Sequence, residues 1–303
     1  MNQTIASVDI GTNTVLLTIA QRSQSDGSLT ILEDFHSIAR LGQGVDSVRI
    51  IQQDAFLRAE SILLKYRELC TKYEVGSIRA VGTSCLRDAA NRDEVCLRLS
   101  QTLGARVEVI SGDEEARLCF LGSIEDDFPT TIVDIGGGST ELISGKDGEI
   151  EYRTSIDIGA VRLTERYFKE LPPSKENVNQ ALQDIKQALA VLPRSKMYAL
   201  RAVAGTPTTL AAMVLKMPDF NADAIHNFQL YYEDIQTIAS KLSQLTLAEI
   251  ITIPGVHPGR ADILLAGVLI LTSIMEYSSQ TICTVSTKGL RYGVLKEMAK
   301  LLQ

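Results

Sequence analysis

The chain has 303 residues, of which 45% are hydrophobic and 22% are charged, and its formal net charge is −7. This composition predicts a globular protein with room for two domains, and the acidic balance argues against binding to duplex nucleic acid. The most apolar stretch, residues 261–275, contains Asp262 and is shorter than the roughly 18 residues that span a bilayer, so we expect no membrane span. The amino-terminal sequence MNQTIASVDIGTN lacks the pattern of a signal peptide, and we therefore expect a cytoplasmic protein.

The cysteines are dispersed along the chain without a CxxC pair. They are Cys70, Cys85, Cys96, Cys119 and Cys283. Disulfide frameworks and structural zinc sites both require paired or closely spaced cysteines. We therefore expect reduced thiols.

Strand and helix patterns alternate along the first half of the chain. Thr4–Ile10 and Thr14–Gln21 are rich in strand-forming residues and flank the turn sequence GTN, which predicts a β-hairpin. The elements predicted after this hairpin are a strand at 29–39, a helix at 55–73, a strand at 77–82, a helix at 87–103, a strand at 106–110 and a helix at 111–122.

The second half begins with the same pattern, because a strand at 130–134, the turn GGGST and a strand at 141–144 predict another hairpin. The elements predicted after it are a strand at 149–158, helices at 161–169 and 175–191, a strand at 197–204, helices from 208, at 233–244 and at 260–277, a strand at 281–286 and a helix at 290–302. The sequences VDIGTNT and VDIGGGST share one order of residue types. We therefore predict an internal duplication, with domains at residues 1–125 and 126–303, in which the last helix is the element that could pack back on the first domain.

The glycine turns of the two hairpins are the first candidate site. Their residues are Gly11, Thr12, Asn13 and Thr14 in the first turn, and Gly136, Gly137, Gly138, Ser139 and Thr140 in the second. Such a turn presents successive backbone N–H groups and hydroxyls, and the missing Cβ atoms allow a phosphate to approach closely. A plain tight turn is the alternative, but the recurrence of the turn in both halves favours an anion site with two sides.

Three carboxylates accompany these turns. Asp9 and Asp134 stand at the start of the first and second turn, and Glu141 follows the second. Carboxylate oxygens are ligands that Mg²⁺ prefers, so these side chains are candidate ligands of a divalent cation that bridges to phosphate. The alternative for each Asp is a hydrogen bond that caps its own turn.

Further candidates lie between the two turns. Thr83 and Ser84 stand at a predicted strand-to-helix junction, and Arg87 follows in the first helical turn, where a guanidinium can bind phosphate through two hydrogen bonds. An exposed surface arginine is the alternative. The sequence SGDEEA places Glu114 and Glu115 at a helix start, where one can act as a general base and the other stabilises the helix end. The spacing alone favours simple helix stabilisation.

Eight stretches in order along the chain resemble the exopolyphosphatase/guanosine pentaphosphate phosphohydrolase (Ppx/GppA) family of the actin/Hsp70/sugar-kinase superfamily, in its short two-domain form. They are ASVDIGTNTVLL, AVGTSCLRDAANRDEV, VISGDEEARLCFLG, IVDIGGGSTELI, SIDIGAVRLTERY, VAGTPTTLAAM, PGVHPGRADILLAGVLIL and STKGLRYGVL. The resemblance implies an α/β fold of two RNase H-like domains with the active site in the cleft between the domains.

The resemblance also implies roles for individual residues. Asp9 and Asp134 belong to the two phosphate loops and, with Glu141, surround Mg²⁺ or another divalent cation. Arg87 grips the phosphate chain, and the base that activates water is Glu114, with Glu115 as the second choice. A third phosphate loop contributes the residues Gly205 and Thr206, with Arg260 as a weaker candidate. Pro207 lacks a backbone N–H, which removes one possible phosphate donor from this loop.

The function that the resemblance implies is Mg²⁺-dependent release of terminal phosphate from inorganic polyphosphate. The first alternative is hydrolysis of the 5′-γ-phosphate of guanosine pentaphosphate (pppGpp), which uses the same phosphoanhydride chemistry. A non-catalytic sensor of guanosine polyphosphates or nucleotides is a further alternative, and a sugar kinase of the same superfamily fits the motifs less well. A homodimer is the expected assembly.

Overall fold

The computed structural model describes residues 3–302. The strands are β1 (Gln3–Ile10), β2 (Thr14–Arg22), β3 (Leu29–Ile38), β4 (Ser77–Gly82), β5 (Val107–Val109), β6 (Thr130–Ile135), β7 (Thr140–Lys146), β8 (Glu149–Ile156), β9 (Ala199–Val203), β10 (Gln229–Tyr231) and β11 (Ile282–Val285). The helices are α1 (Val45–Val48), α2 (Gln53–Lys72), α3 (Ser84–Asp88), α4 (Arg92–Leu103), α5 (Gly112–Ser123), α6 (Ala160–Tyr167), α7 (Lys175–Leu189), α8 (Gly205–Val214), α9 (Ala222–Ile225), α10 (Tyr232–Leu242), α11 (Leu247–Ile251), α12 (Leu264–Ser278) and α13 (Leu290–Leu301).

The chain forms two compact units, each built on one sheet. Unit 1 comprises residues 3–123 with 289–302, and unit 2 comprises residues 124–288. The sheet of unit 1 has the strand order β3-β2-β1-β4-β5, and that of unit 2 has the order β10-β11-β9-β6-β7-β8. In both sheets an antiparallel meander precedes parallel strands, so β6, β7, β8, β9 and β11 repeat the order of β1 to β5. The repeated topology agrees with the α/β RNase H-like fold expected for each half.

The first unit is completed by the last helix of the chain. The predicted second domain at residues 126–303 includes α13, whose apolar residues share a buried cluster with β1 and α5 of unit 1. Helices α5 and α13 approach each other closely at two glycines. A Cβ atom on Gly293 would lie 1.8 Å from the carbonyl oxygen of Leu118, and one on Gly122 would lie 2.0 Å from that of Gly289. Only glycine permits this contact, which fixes the helix that carries Glu114 and Glu115.

Two buried arginines also hold α13 in place. Arg22 of β2 donates from Nε to the carbonyl oxygen of Ala299 at 2.9 Å. Arg291 donates from Nε and Nη2 to the two carboxylate oxygens of Asp34 at 3.0 and 2.8 Å. Burial raises the pKa of the Asp34 carboxyl, but hydrogen bonds from His36 and Arg291 outweigh burial and hold this pKa well below its ordinary value. Asp34 is therefore the anionic partner that a buried guanidinium requires.

Unit 2 is organised around α12, whose residues from Leu264 to Met275 are all buried. A helix that is apolar on every side is typical of a protein interior. Among residues 3–302, we find no helix with both the length and the apolar character to span a bilayer. The five cysteines are free thiols in this structure.

Two predicted helices differ from those in the structure. The helix predicted at 87–103 is divided into α3 and α4, because Ala89 is extended and the N–H of Ala90 donates to the carbonyl oxygen of Arg49 at 2.7 Å. The helix predicted from residue 208 begins at Gly205, so Gly205 and Thr206 form the first turn of α8 instead of a loop before it.

We predict that Gly293→Ala lowers the free energy of unfolding by about 1–3 kcal/mol, because the added methyl group would overlap the backbone of α5. Urea unfolding followed by circular dichroism measures this change. The matched control is Gly76→Ala, whose Cβ would lie 3.7 Å from its nearest neighbour, the carbonyl oxygen of Thr4. The control should leave stability unchanged or raise it by up to about 1 kcal/mol. Equal losses in the two variants would contradict the close contact.

Candidate active site

The candidate residues of unit 1 lie at the carboxyl ends of its parallel strands. Strands β1, β4 and β5 run parallel, so the segments that follow them lie at one edge of the sheet. Backbone hydrogen bonds join these segments, because the N–H of Thr83 donates to the carbonyl oxygen of Ile10 at 3.2 Å and that of Ile110 donates to Gly82 at 3.1 Å. The first glycine turn, the Thr83–Ser84 junction and the start of α5 are thereby brought together.

The first glycine turn has backbone donors available for a ligand. The N–H of Gly11 donates to the carbonyl oxygen of Thr14 at 2.9 Å, which closes the turn. Within the described part of the chain, the N–H groups of Thr12 and Asn13 donate to no protein acceptor. A Cβ atom on Gly11 would lie 4.0 Å from the hydroxyl oxygen of Thr83, so this hydroxyl stands beside the turn. The turn thus has the donor set of an anion site.

Arg87 and Glu115 form an ion pair at the same edge. Nη1 of Arg87 donates to Oε2 of Glu115 at 2.5 Å and to the carbonyl oxygen of Ile110 at 3.2 Å. The Glu115 residue is only 7% exposed, whereas 22% of the Arg87 side chain remains accessible. The arginine is therefore the member of the pair that a phosphate can reach.

Glu114 faces a different set of partners. Its two carboxylate oxygens accept hydrogen bonds from Nε and Nη2 of Arg117 at 2.8 and 2.7 Å, and Arg117 also pairs with Glu297 of α13. Adjacent residues on a helix point about 100° apart, which explains why the two glutamates have different surroundings. Glu115 lies next to Arg87, and Glu114 belongs to an ion-pair network with α13.

The second glycine turn has the same construction in unit 2. The N–H of Gly136 donates to the carbonyl oxygen of Ser139 at 2.9 Å, which corresponds to the bond between Gly11 and Thr14. Among residues 3–302, no protein acceptor receives the N–H groups of Gly137, Gly138 and Ser139. The hydroxyl of Thr140 instead donates to the carbonyl oxygen of Ile158 at 2.6 Å.

Asp134 and Glu141 lie directly opposite each other on β6 and β7. Residues in this position have Cβ atoms roughly 5 Å apart on one face of the sheet, and two carboxylates there repel each other unless a cation intervenes. Oε1 of Glu141 accepts hydrogen bonds from the hydroxyls of Ser139 and Ser155 at 2.8 and 2.7 Å. Ser155 was not predicted as a site residue although it opens the stretch SIDIGAVRLTERY, because only the pairing of β7 with β8 brings it opposite Glu141.

This carboxylate pair fits the chemistry of a divalent cation, because all of its donors are hard oxygens. The third predicted ligand, Asp9, occupies the equivalent position beside the first turn, where it is half-buried. Within the described range, no group of three or more His, Cys, Asp or Glu side chains is arranged as a metal site. Asp134 and Glu141 therefore supply only part of a ligand set. Water or phosphate oxygens would have to provide the remaining ligands of a cation bound there.

The third predicted segment opens α8 and is closely packed. A Cβ atom on Gly205 would lie 1.3 Å from Nη1 of Arg260, so the guanidinium rests directly on this glycine. The Thr206 side chain is buried against Gly267 of α12. Ala204, before the helix, has φ 73° and ψ −163°, a backbone conformation that is almost exclusive to glycine. The structure thus brings Arg260 to Gly205, while the Thr206 hydroxyl packs inward.

Comparisons with known proteins show the family to which the chain belongs. Residues 19–302 match the model of the Ppx/GppA phosphatase family. Exopolyphosphatase 2 of Mycobacterium tuberculosis is 34% identical over 285 residues, which cover 89% of each chain. A guanosine-5′-triphosphate,3′-diphosphate pyrophosphatase of Vibrio vulnificus is 28% identical over 98% of this chain and 60% of its own length. The crystal structure of the Aquifex aeolicus member of the Ppx/GppA family superposes with a TM-score of 0.83 at 31% identity, over 100% of this chain and 99% of its own.

We predict that Ala204→Gly raises the free energy of unfolding by about 1 kcal/mol, because glycine adopts the conformation of Ala204 without strain. The side chain is exposed, so loss of its methyl group removes no core packing. The matched control is Ala190→Gly, at an exposed residue with φ −60° and ψ −22°. The control should lower stability by up to about 1 kcal/mol. Calorimetry measures both changes, and a loss of stability in both variants would show that Ala204 is unstrained.

Proposed function

Because the chain belongs to the Ppx/GppA phosphatase family, we propose that it is an exopolyphosphatase that releases terminal phosphate from inorganic polyphosphate. The name of the Mycobacterium tuberculosis relative supports this substrate. The observation that carries the proposal is the ion pair of Arg87 and Glu115, which stands beside a glycine turn with available N–H groups. This arrangement combines an anion site, a partly exposed cationic side chain and a buried carboxylate.

Polyphosphate fits the donors that the two units offer. The N–H groups of Asn13 in the first turn and of Gly137, Gly138 and Ser139 in the second are dipoles without a protein acceptor among the described residues. Backbone N–H groups of this kind stabilise the negative charge of phosphate oxygens although they carry no net charge themselves. A protein with net charge −7 can therefore bind a polyanion through local donors.

We assign the role of general base to Glu115 in preference to Glu114, the residue that the family resemblance favoured. Glu114 is held by Nε and Nη2 of Arg117, whereas Glu115 pairs with the arginine that is expected to bind phosphate. The carboxylate of Glu115 therefore lies next to the side chain that is expected to hold the reacting phosphate.

The chemical step follows from these assignments. A water oxygen attacks the terminal phosphorus in line with the bond to the bridging oxygen, and its proton passes to Glu115. The bond between phosphorus and the bridging oxygen breaks, and the shortened chain leaves with that electron pair. Arg87 stabilises the charge that spreads over the transferred phosphoryl group. The products are orthophosphate and a chain that is one phosphate shorter.

Asp9, Asp134 and Glu141 are the proposed residues that hold Mg²⁺ or another divalent cation. When bound, the cation would neutralise charge on the phosphate oxygens. The hydroxyls of Ser139 and Ser155 orient Glu141 through hydrogen bonds to its Oε1 atom. The cytoplasmic location and the homodimer remain predictions.

Hydrolysis of pppGpp is the second candidate, since the Vibrio vulnificus relative carries the name of that activity. Purified protein should be assayed for phosphate release from long-chain polyphosphate, tripolyphosphate and pppGpp, each with Mg²⁺ and with EDTA. We expect the highest kcat/KM with polyphosphate and loss of release in EDTA. A higher kcat/KM with pppGpp would establish the alternative, and binding without release from any substrate would establish a non-catalytic sensor.

We predict that Glu115→Gln lowers kcat at least about 100-fold, because a glutamine cannot accept the proton of the attacking water. Glu114→Gln is the matched control, since it makes the same change at the neighbouring residue and removes partly exposed ion pairs with Arg117 and Arg79. We expect less than about a threefold loss of kcat in the control. The assignment would be wrong if Glu114→Gln abolished phosphate release and Glu115→Gln preserved it.

A further inference from the structure

The carbonyl groups of the three glycines in the second turn are held by one segment, the start of α6. The carbonyl oxygen of Gly136 accepts from the N–H of Ala160 at 2.9 Å, and that of Gly137 accepts from Val161 and Arg162 at 2.8 and 3.0 Å. The carbonyl oxygen of Gly138 accepts from Nε of the Arg162 side chain at 2.7 Å. The start of α6 therefore accounts for three successive carbonyl groups.

These bonds determine where the N–H groups of the turn point. In a trans peptide, the C=O and the following N–H point in opposite directions. The bond in each case is trans, since the one cis peptide among the described residues is Leu171–Pro172. The carbonyl bonds to α6 thus direct the N–H groups of Gly137, Gly138 and Ser139 away from the helix. These are the N–H groups that have no protein acceptor in the described chain.

Close approach of α6 depends on one further residue. A Cβ atom on Gly159 would lie 2.4 Å from the carbonyl oxygen of Gly137, so only glycine lets the helix start reach the turn. Arg162 itself is 5% exposed, which leaves it remote from bulk water. Burial of a guanidinium destabilises the folded state unless its N–H groups form hydrogen bonds. Nε of Arg162 forms one of these bonds with the Gly138 carbonyl.

Unit 1 contains a related arrangement, which holds two carbonyl groups of its turn. The carbonyl oxygen of Thr12 accepts from the N–H of Gly42 at 2.8 Å, and that of Asn13 accepts from Ala39 and Arg40 at 3.0 and 2.9 Å. As in unit 2, the segment that holds the turn follows the third strand of the meander. In unit 1 these donors are backbone groups, whereas in unit 2 the last carbonyl is held by a side chain.

We propose that Arg162 is a positioning residue for the phosphate-binding turn. Its side chain holds the Gly138 carbonyl, so that the N–H of Ser139 faces the substrate. The inference rests on the proposed function, because it takes this turn to bind substrate phosphate. Arg162 acts through the peptide group and touches no reacting atom.

A pair of substitutions separates the hydrogen bond from the charge and volume of Arg162. In Arg162→Gln, the amide nitrogen follows the same number of side-chain atoms as Nε, so the donor is kept and the charge is lost. In Arg162→Met, the side chain is about as long as that of glutamine but has no hydrogen-bond donor. Tripolyphosphate binding should be measured by calorimetry on the Glu115→Gln background, which we expect to bind without turnover. We expect Arg162→Met to raise Kd about tenfold, and Arg162→Gln to stay within about threefold of the parent.

The control is Arg166→Met, which removes the same charge from an exposed residue one turn along α6 and should leave Kd unchanged. The carbonyl ¹³C resonance of Gly138 gives a readout that needs no ligand, and we expect it to move in Arg162→Met but not in Arg162→Gln. Equal resonances, or equal affinities, in the two Arg162 variants would overturn the proposal. Failure of the parent protein to release phosphate from any substrate would refute the proposed function alone, because the Gly138 resonance still decides the role of Arg162.

Discussion

The planarity of the peptide group is the constraint on which the candidate site depends. A trans peptide cannot turn its carbonyl without turning the neighbouring N–H, so a hydrogen bond on one side of a turn determines the chemistry of the other. In both units, the segment after a three-stranded meander supplies donors to the turn carbonyls. The backbone dipoles are therefore oriented before a ligand arrives, and such preorganisation is the usual source of strong anion stabilisation in enzymes.

Parallel strands provide the second organising principle. Asp9 lies near the carboxyl end of β1, and Arg87 and Glu115 lie in the helices that follow β4 and β5, so the parallel strands bring these distant residues to one edge of the sheet. The sequence predicted the turns and their carboxylates because each depends on a few consecutive residues. It also predicted that these segments belong to one site, through motifs that resemble a family in their order along the chain.

The features that the sequence did not reveal all depend on distant partners. Glu114 and Glu115 are equivalent as neighbours in a helix, and only the positions of Arg87 and Arg117 distinguish them. The break between α3 and α4 arises from the hydrogen bond between Ala90 and Arg49, which no local pattern of apolar residues contains. The contact of Arg162 with the turn was missed for the same reason, although Arg162 lies in a stretch that carries the family resemblance.

The position of α13 in the chain has a consequence for biosynthesis. Residues 124–288 are translated before α13, so the whole of unit 2 leaves the ribosome while unit 1 still lacks its last helix. Until then, Ile5, Val81 and Leu118 have no cover from the apolar residues of α13. Nascent chains with such uncovered surfaces are the ones that chaperones bind. The half that carries the candidate general base is thus the half that matures last.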